Sequence, residues 1–246
     1  MDRDAYFSIL QSIDLFLSFI FDQQIIQKSQ MLRWLTMLLA VVALLMSSAF
    51  SSPVSAALVC KEIPASPFSP PERICNSFVP SGFIKIPASQ SDQYQSEWCW
   101  AASISMVFRY YHHPVSQERI VKEMYGRIEN VPAEPWTMLQ ALNRSWVDDN
   151  GQRFSSKSTP GRTNIIAAAQ DLANDKPLII GTLGHAMVLT YLQYRANYLL
   201  TPFGPQLGPS VITNAVVRDP WPGNGRRSLS PQEWNSINFA VQIRVD

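Results

Sequence analysis

The run CWAASISMVFRYY, Cys99 to Tyr111, constrains this chain more than any other stretch. It holds no glycine or proline, its alanines favour helix, and it is apolar on nearly every side except at Arg109. A helix apolar all round has no face to offer water, so the rest of the domain must be built around it. Its first residue is a lone cysteine set between Trp98 and Trp100. Free cysteine is commonly a small buried hydrophobe. In the first turn of a helix, however, the sulfur faces unpaired backbone N–H groups and the positive end of the helix dipole, and both favour the thiolate. The two tryptophans are expected as core aromatics that fix the helix start.

A chain of 246 residues, 46% hydrophobic and 16% charged, can bury such a helix in one substantial core. A formal charge of +1 gives no basic stripe, which sets nucleic acid aside as a partner. From Met31 the sequence places Arg33 before an apolar run, Leu35 to Met46, followed by small residues ending in Val54-Ser55-Ala56. That order is the order of a secretory signal peptide, and the run is short for a membrane span of ~20 residues. Cleavage near Ala56 or Ala49 and a secreted or periplasmic protein are therefore expected, with residues 1–30 an upstream segment that is not translated if synthesis starts at Met31. The rival reading keeps IDLFLSFIF, Ile13 to Phe21, and the later run as an uncleaved N-terminal membrane anchor.

Export governs how the other cysteines are read. Cys60 and Cys75 flank the proline-rich KEIPASPFSPPERI, which cannot form a regular helix, and they are expected to pair. Cys99 is then left over, and a single thiol in an oxidising compartment points to a reactive role or an intermolecular bond. A second class of function is a zinc-binding module held by Cys60, Cys75, His112 and His113. The fourteen residues between the two cysteines and the adjacency of the two histidines argue against it.

A nucleophilic thiol needs a base. His112 and His113 lie so far along the expected helix that, at 1.5 Å rise per residue, they stand ~20 Å from Cys99. His185 remains, in KPLIIGTLGHAMVLTYLQY, where it begins the second of two strand-like runs joined by a short glycine-bearing connection. The base needs an orienting acceptor. Asp219 ends the strand VITNAVVRD before Pro220 and Gly223 turn the chain away, with Asn224 as the fallback.

The motifs CWAAS with a glutamine upstream, GHAMVLT and RDPWPG, in that order between about Gln93 and Trp234, resemble the papain-like cysteine peptidases. The likeness is to bacterial branches that include bacteriocin leader peptidases and papain-like effector proteases. The resemblance implies Cys99 as nucleophile, His185 as general base and then acid, Asp219 as orienter, and Gln93, six positions before the cysteine, as oxyanion donor with Gln95 its competitor. With the signal-peptide pattern, it implies an exported peptidase that needs no metal or organic cofactor and acts on a peptide or protein, with an inhibitor or immunity protein as a further class of partner. The same acyl-enzyme would also serve an acyl or peptidyl transferase. Relatives often carry a glycine soon after the VLT, where this chain has Tyr191.

The remaining patterns suit an α+β enzyme with helices first and antiparallel strands after. VSQERIVKEMYG is expected as a helix with Ser116 as N-cap, Val115 and Ile120 as a hydrophobic staple and Gly126 as terminator. PWTMLQALNRSW and TNIIAAAQDLAND read as further helices, and Ser230 with Glu233 as a capping box. The expected organisation is an upstream segment 1–30, a signal peptide 31–56, an extended arm 57–87 carrying the disulfide, and a papain-like domain 88–246. That domain is two-lobed, an N-terminal helical half carrying the nucleophile helix and a C-terminal antiparallel sheet carrying His185 and Asp219, which meet in a cleft. QYRANYLLTPFGPQLGPS, Gln193 to Ser210, with three prolines and two glycines, is expected to break any regular ladder. It is read either as a substrate-selecting rim or as a hairpin extension.

Overall fold

The computed structural model describes residues 57–79, 86–160 and 164–246. The segments read as an upstream extension and a signal peptide, 1–30 and 31–56, lie outside the described residues. Among the described residues, no helix is long and apolar enough to cross a membrane.

The chain runs β1 (Ala57–Ile63), β2 (Glu72–Phe78), α1 (Ala88–Ser91), α2 (Cys99–Tyr110), α3 (Gln117–Tyr125), α4 (Pro135–Leu142), β3 (Arg144–Val147), β4 (Arg153–Pro160) and α5 (Ile165–Ala173). It continues through β5 (Leu178–Thr182), β6 (His185–Thr201), β7 (Gly204–Asp219), β8 (Gly225–Ser228), α6 (Pro231–Asn235) and β9 (Ile237–Val245). The fold is α+β, with the strands in one antiparallel sheet ordered β1-β2-β6-β5-β9-β4-β3, and β7 and β8 branching from the other side of β6.

Helix α2 is as interior as its sequence requires, with every residue from Trp100 to Phe108 buried. Phe108 meets Trp146 and Phe154 edge to face at 5.6 and 5.1 Å, joining the helix to the β3–β4 hairpin. At its other end Ser103 Oγ donates to the Ala186 carbonyl at 3.2 Å. Ser103 sits one turn beyond Cys99 and Ala186 follows His185, so this bond sets the register that brings Cys99 towards the start of β6. The helix ends at Tyr110, and His112 adopts φ 66, so the two histidines lie past its end rather than on it. His113 stacks on Phe154 and its Nδ1 is 3.1 Å from Asp148 Oδ2.

Strand β6 organises the sheet. Its first residues, His185 to Leu189, pair with β5, its later ones pair with β2, and β7 runs along the opposite side. Residues 186–189 are buried on both faces, whereas beyond Tyr191 burial alternates through Leu192, Tyr194 and Ala196, the mark of a strand covered on one face only.

Four expectations are corrected. The segment 57–87, read as an extended arm, contributes a hairpin whose second strand pairs with β6 and so belongs to the sheet. Gln193 to Ser210 does continue the ladder, as far as Thr201 opposite Gly204, with register shifts at Gln193/Tyr194 and Ala196/Tyr198 absorbing residues that a regular ladder would reject. The helix expected through Trp146 stops at Leu142, and Arg144–Val147 is a strand. Strands also precede and interrupt the helices rather than only following them.

Ser116 and Gly126 bound α3 as expected, the first accepting from Arg119 N and the second left-handed at φ 75. The Ser230–Glu233 capping box is present.

Cys60 and Cys75 are directly opposed on β1 and β2 and form a disulfide. The zinc-module alternative is thereby corrected, since both of its sulfurs are bonded to each other. Because the closed loop spans a sequence separation of 15, the Cys60→Ser, Cys75→Ser pair is expected to lose about 3 kcal/mol through the unfolded state. Guanidinium unfolding of this variant against the oxidised protein measures it. An unchanged midpoint would mean that closing the hairpin adds nothing.

Candidate active site

Cys99 is the first residue of α2, and no side chain caps the helix there. The first backbone N–H groups of α2 thus have no intrahelical acceptor, and Cys99 stands at that positive end of the helix. Trp98 and Trp100 are almost fully buried, and their indole N–H groups donate to the carbonyls of Glu129 at 2.9 Å and Val131 at 3.2 Å. Asn130 joins the same stitching, accepting from Glu97 N and donating to Ser96 Oγ, both at 2.9 Å. The tryptophans therefore fix more than the helix start. They hold the segment before α4 as a wall beside Cys99.

His185 is placed by the tight turn from β5 to β6. Thr182 and His185 are paired, and Leu183 and Gly184 between them have φ 51 and 78, the double left-handed form suited to the twist of a two-residue hairpin. Asp219 ends β7. One position beyond the Val188–Arg218 pair, it stands diagonal to His185 on the same face, within side-chain reach. His185 Nε2 is 2.7 Å from Asp219 Oδ1. Cys99 lines the same cavity as the ring, and its thiol is one of the groups that favour the charged imidazole. Trp221 packs edge to face on the imidazole, with ring centroids 6.3 Å apart.

The electrostatics follow from these partners. Burial works against a charged imidazole, but hydrogen bonds to Asp219 and Cys99 and the negative charge of both outweigh it, raising His185 from 6.5 to about 9. The contribution of the charged ring to folding is complete below pH 6.5 and is lost as pH rises through about 9. Asp219 is 1% exposed, and burial alone would raise its pKa. Hydrogen bonds from His185, Trp221 N–H, Arg227 and Asn224 reverse this and hold it well below the ordinary carboxylate range.

Gln93 is held against the turn that follows Asp219 and is not among the residues that line the cavity with Cys99. It is 6% exposed, and its backbone N–H donates to the Pro220 carbonyl at 2.7 Å, tying the residue to the turn after Asp219. Its amide donates to the carbonyls of Gln95 at 2.9 Å and Ser96 at 2.8 Å. Gln93 thus shapes the backbone that leads into α2, and Gln95 is exposed. Asn224, the fallback orienter, donates to Asp219 Oδ2 at 2.9 Å rather than replacing it.

Sequence reasoning missed Arg227. Its Nε donates to Asp219 Oδ2 at 2.7 Å, and its Nη atoms reach Glu233 at 2.6 and 3.1 Å. In GRRS it reads as one of two surface arginines, and only its alternation on a strand beside Asp219 could have singled it out. Among the described residues, no group of three or more His, Cys, Asp or Glu side chains is arranged to hold a metal ion.

Cys99, His185 and Asp219 share a cavity of about 690 Å³. Pro132, Ala133 and Met138, from the segment before α4 and α4 itself, and Gly181, Ala186 and Phe239, from the sheet, give it apolar lining. A Cβ at Gly181 would stand 3.1 Å from Phe239 Cβ, so glycine there lets the neighbouring strand approach. Glu97 and Glu134 stand on the same lining. Among the described residues, none between Gln193 and Ser210 lines it; the β6–β7 tip is at the far end of the sheet, so that segment is a hairpin extension and not a rim of this cavity.

A family model described as Peptidase_C39 like family matches residues 85–239, a span that runs from just before α1 into β9 and takes in all of these residues. No curated protein matches the chain.

Proposed function

The chain belongs to the Peptidase_C39-like family, a family of peptidases acting on peptides or proteins, and from that premise we propose that it is an exported cysteine peptidase working through a Cys99 thioacyl intermediate. The observation that carries the reading is that Cys99 at a helix start, His185 and the buried Asp219 line one cavity, with the imidazole bonded to the carboxylate. In this reading the papain-like division into two lobes applies, and the cavity between Cys99 and His185 receives the scissile bond.

The Cys99 thiolate attacks the peptide carbonyl, and the Cys99 N–H at the head of α2 donates to the oxyanion. Gln93 is the second donor and gives up one of its bonds to the Gln95 or Ser96 carbonyl to take that role. His185, charged in the resting enzyme, hands its proton to the leaving amine. The neutral ring then activates water to release the acyl group. Asp219 holds the ring through Nε2 so that Nδ1 remains aimed at the sulfur. Water as acceptor gives hydrolysis, and an amine acceptor on the same intermediate would give peptidyl transfer. The Cys60–Cys75 bond favours an oxidising compartment, which is what export supplies.

Profiling of newly formed peptide termini, with active protein against a Cys99→Ser control, tests the reading. New termini only with the active protein are expected, and identical sets would remove it. The pH dependence is a second check. Because leaving-group protonation needs the imidazolium, kcat/KM is expected to fall as pH rises through about 9. A profile still rising at pH 10 would place the proton on another group.

A further inference from the structure

Asp219 raises a problem that the proposed mechanism leaves open. A carboxylate beside the imidazole adds a negative charge to a site that must also stabilise a thiolate, and a buried carboxylate with only a titratable ring for company would compete with Cys99 for the same proton. The geometry answers it. Asp219 Oδ1 accepts from His185 and from Trp221 N–H, whereas Oδ2 accepts from Arg227 Nε at 2.7 Å and Asn224 Nδ2 at 2.9 Å. One oxygen serves the ring and the other is committed to a permanent cation.

That cation is itself held on its far side. The Arg227 Nη groups reach both oxygens of Glu233, and Nη2 also lies 3.3 Å from Met187 Sδ. Glu233 is fixed in turn, because Oε2 accepts from Ser230 N–H in the α6 capping box and its carbonyl accepts from Thr182 Oγ1 at 2.6 Å. Thr182 immediately precedes the turn that delivers His185. The guanidinium is thus clamped between two carboxylates by a frame anchored on β5, β7, β8 and α6.

We propose that Arg227 is a positioning residue of the cysteine peptidase site, neutralising Asp219 so that it serves His185 as a hydrogen-bond acceptor without opposing the thiolate. The inference rests on the peptidase reading. Among the described residues, the titratable and charged groups facing the Asp219–His185 pair are Cys99 from α2, Arg227 from β8 and Glu233 from α6, with Glu97 and Glu134 on the cavity lining; Arg218, next in sequence, bonds Ile86 O and Ser91 Oγ instead. Of these groups, Arg227 is the cation in direct contact with Asp219 besides the ring itself.

The test follows the rate of Cys99 alkylation by iodoacetamide against pH, which needs no known substrate, alongside kcat/KM on a cleaved peptide. With Arg227→Gln, Asp219 keeps its charge and loses its counter-ion. Both limbs of each profile are then expected to move about one pH unit towards alkali, with kcat/KM down roughly 10-fold or more at pH 7. Arg227→Lys, which retains the charge, should leave the limbs in place. Asp219→Asn combined with Arg227→Gln removes both charges and should return the limbs to their wild-type positions. It also settles the matter if Arg227→Gln alone fails to fold.

Unmoved limbs in a folded Arg227→Gln protein, or an equal loss from that change in the Asp219→Asn background, would overturn the inference while leaving the peptidase reading intact. Wild-type Cys99 that reacts only as an ordinary thiol, near pH 8.5, would instead overturn the peptidase reading and with it the role of Arg227.

Discussion

Cys99→Ala is expected to abolish peptide-bond cleavage, lowering kcat by roughly 10⁵-fold or more, while the unfolding midpoint stays close to that of the unaltered protein. Alanine is a good helix former at the head of α2, and the sulfur stands at the cavity wall rather than in the core, so little packing is lost. His185→Ala should cost about as much. In the proposed mechanism the two residues act as one proton-sharing unit, so the double variant should be no worse than either single change. His112→Ala serves as the comparison, since His112 is exposed beyond the end of α2 and should leave kcat unchanged. Steady-state assays on a peptide found by terminus profiling give the numbers. Cleavage that survives in Cys99→Ala would show that the nucleophile lies elsewhere.

The largest effect on stability is expected from Trp98→Ala. Trp98 is 2% exposed, and removing a buried indole leaves a cavity that costs about 4 kcal/mol. The change also strands the Glu129 carbonyl that the indole N–H satisfies. Guanidinium unfolding should register the loss directly. Trp98→Phe, which keeps most of the apolar volume but not the N–H, should recover more than half of it. A loss below about 1 kcal/mol for the alanine variant would mean that the segment from Glu129 to Val131 is held without the indole.

What could be read from the sequence divides along physical lines. Helix α2, the cap at Ser116 and the turn before His185 are written in local chemistry, so a window of a dozen residues suffices to see them. The pairing of Cys60 with Cys75 was legible because two sulfurs with a proline-rich segment between them leave few options. The hairpin from Gln193 to Ser210 was misjudged because its prolines and glycines argue against a ladder, and nothing local announces the register shifts that accommodate them. The β3 strand was hidden for a related reason. Arg144 to Val147 continues the helical pattern of the preceding residues, and only its pairing with Arg153 to Ser156 makes it a strand. Arg227 escaped notice because its importance lies in a partner eight residues away across a turn.

The β6–β7 hairpin joins the proton-sharing pair to a place remote from it. His185 starts one strand and Asp219 ends the other, while their connection at Thr201 and Gly204 lies sixteen residues further on, up to ~50 Å away at strand rise. Phe203 at that tip is 92% exposed and lines none of the cavity. The tip is therefore a handle on the enzyme. A fluorophore, an affinity tag or a whole reporter domain grafted between Thr201 and Gly204 would ride outside the reach of any bound peptide, so the enzyme could be immobilised or tracked there while it turns over.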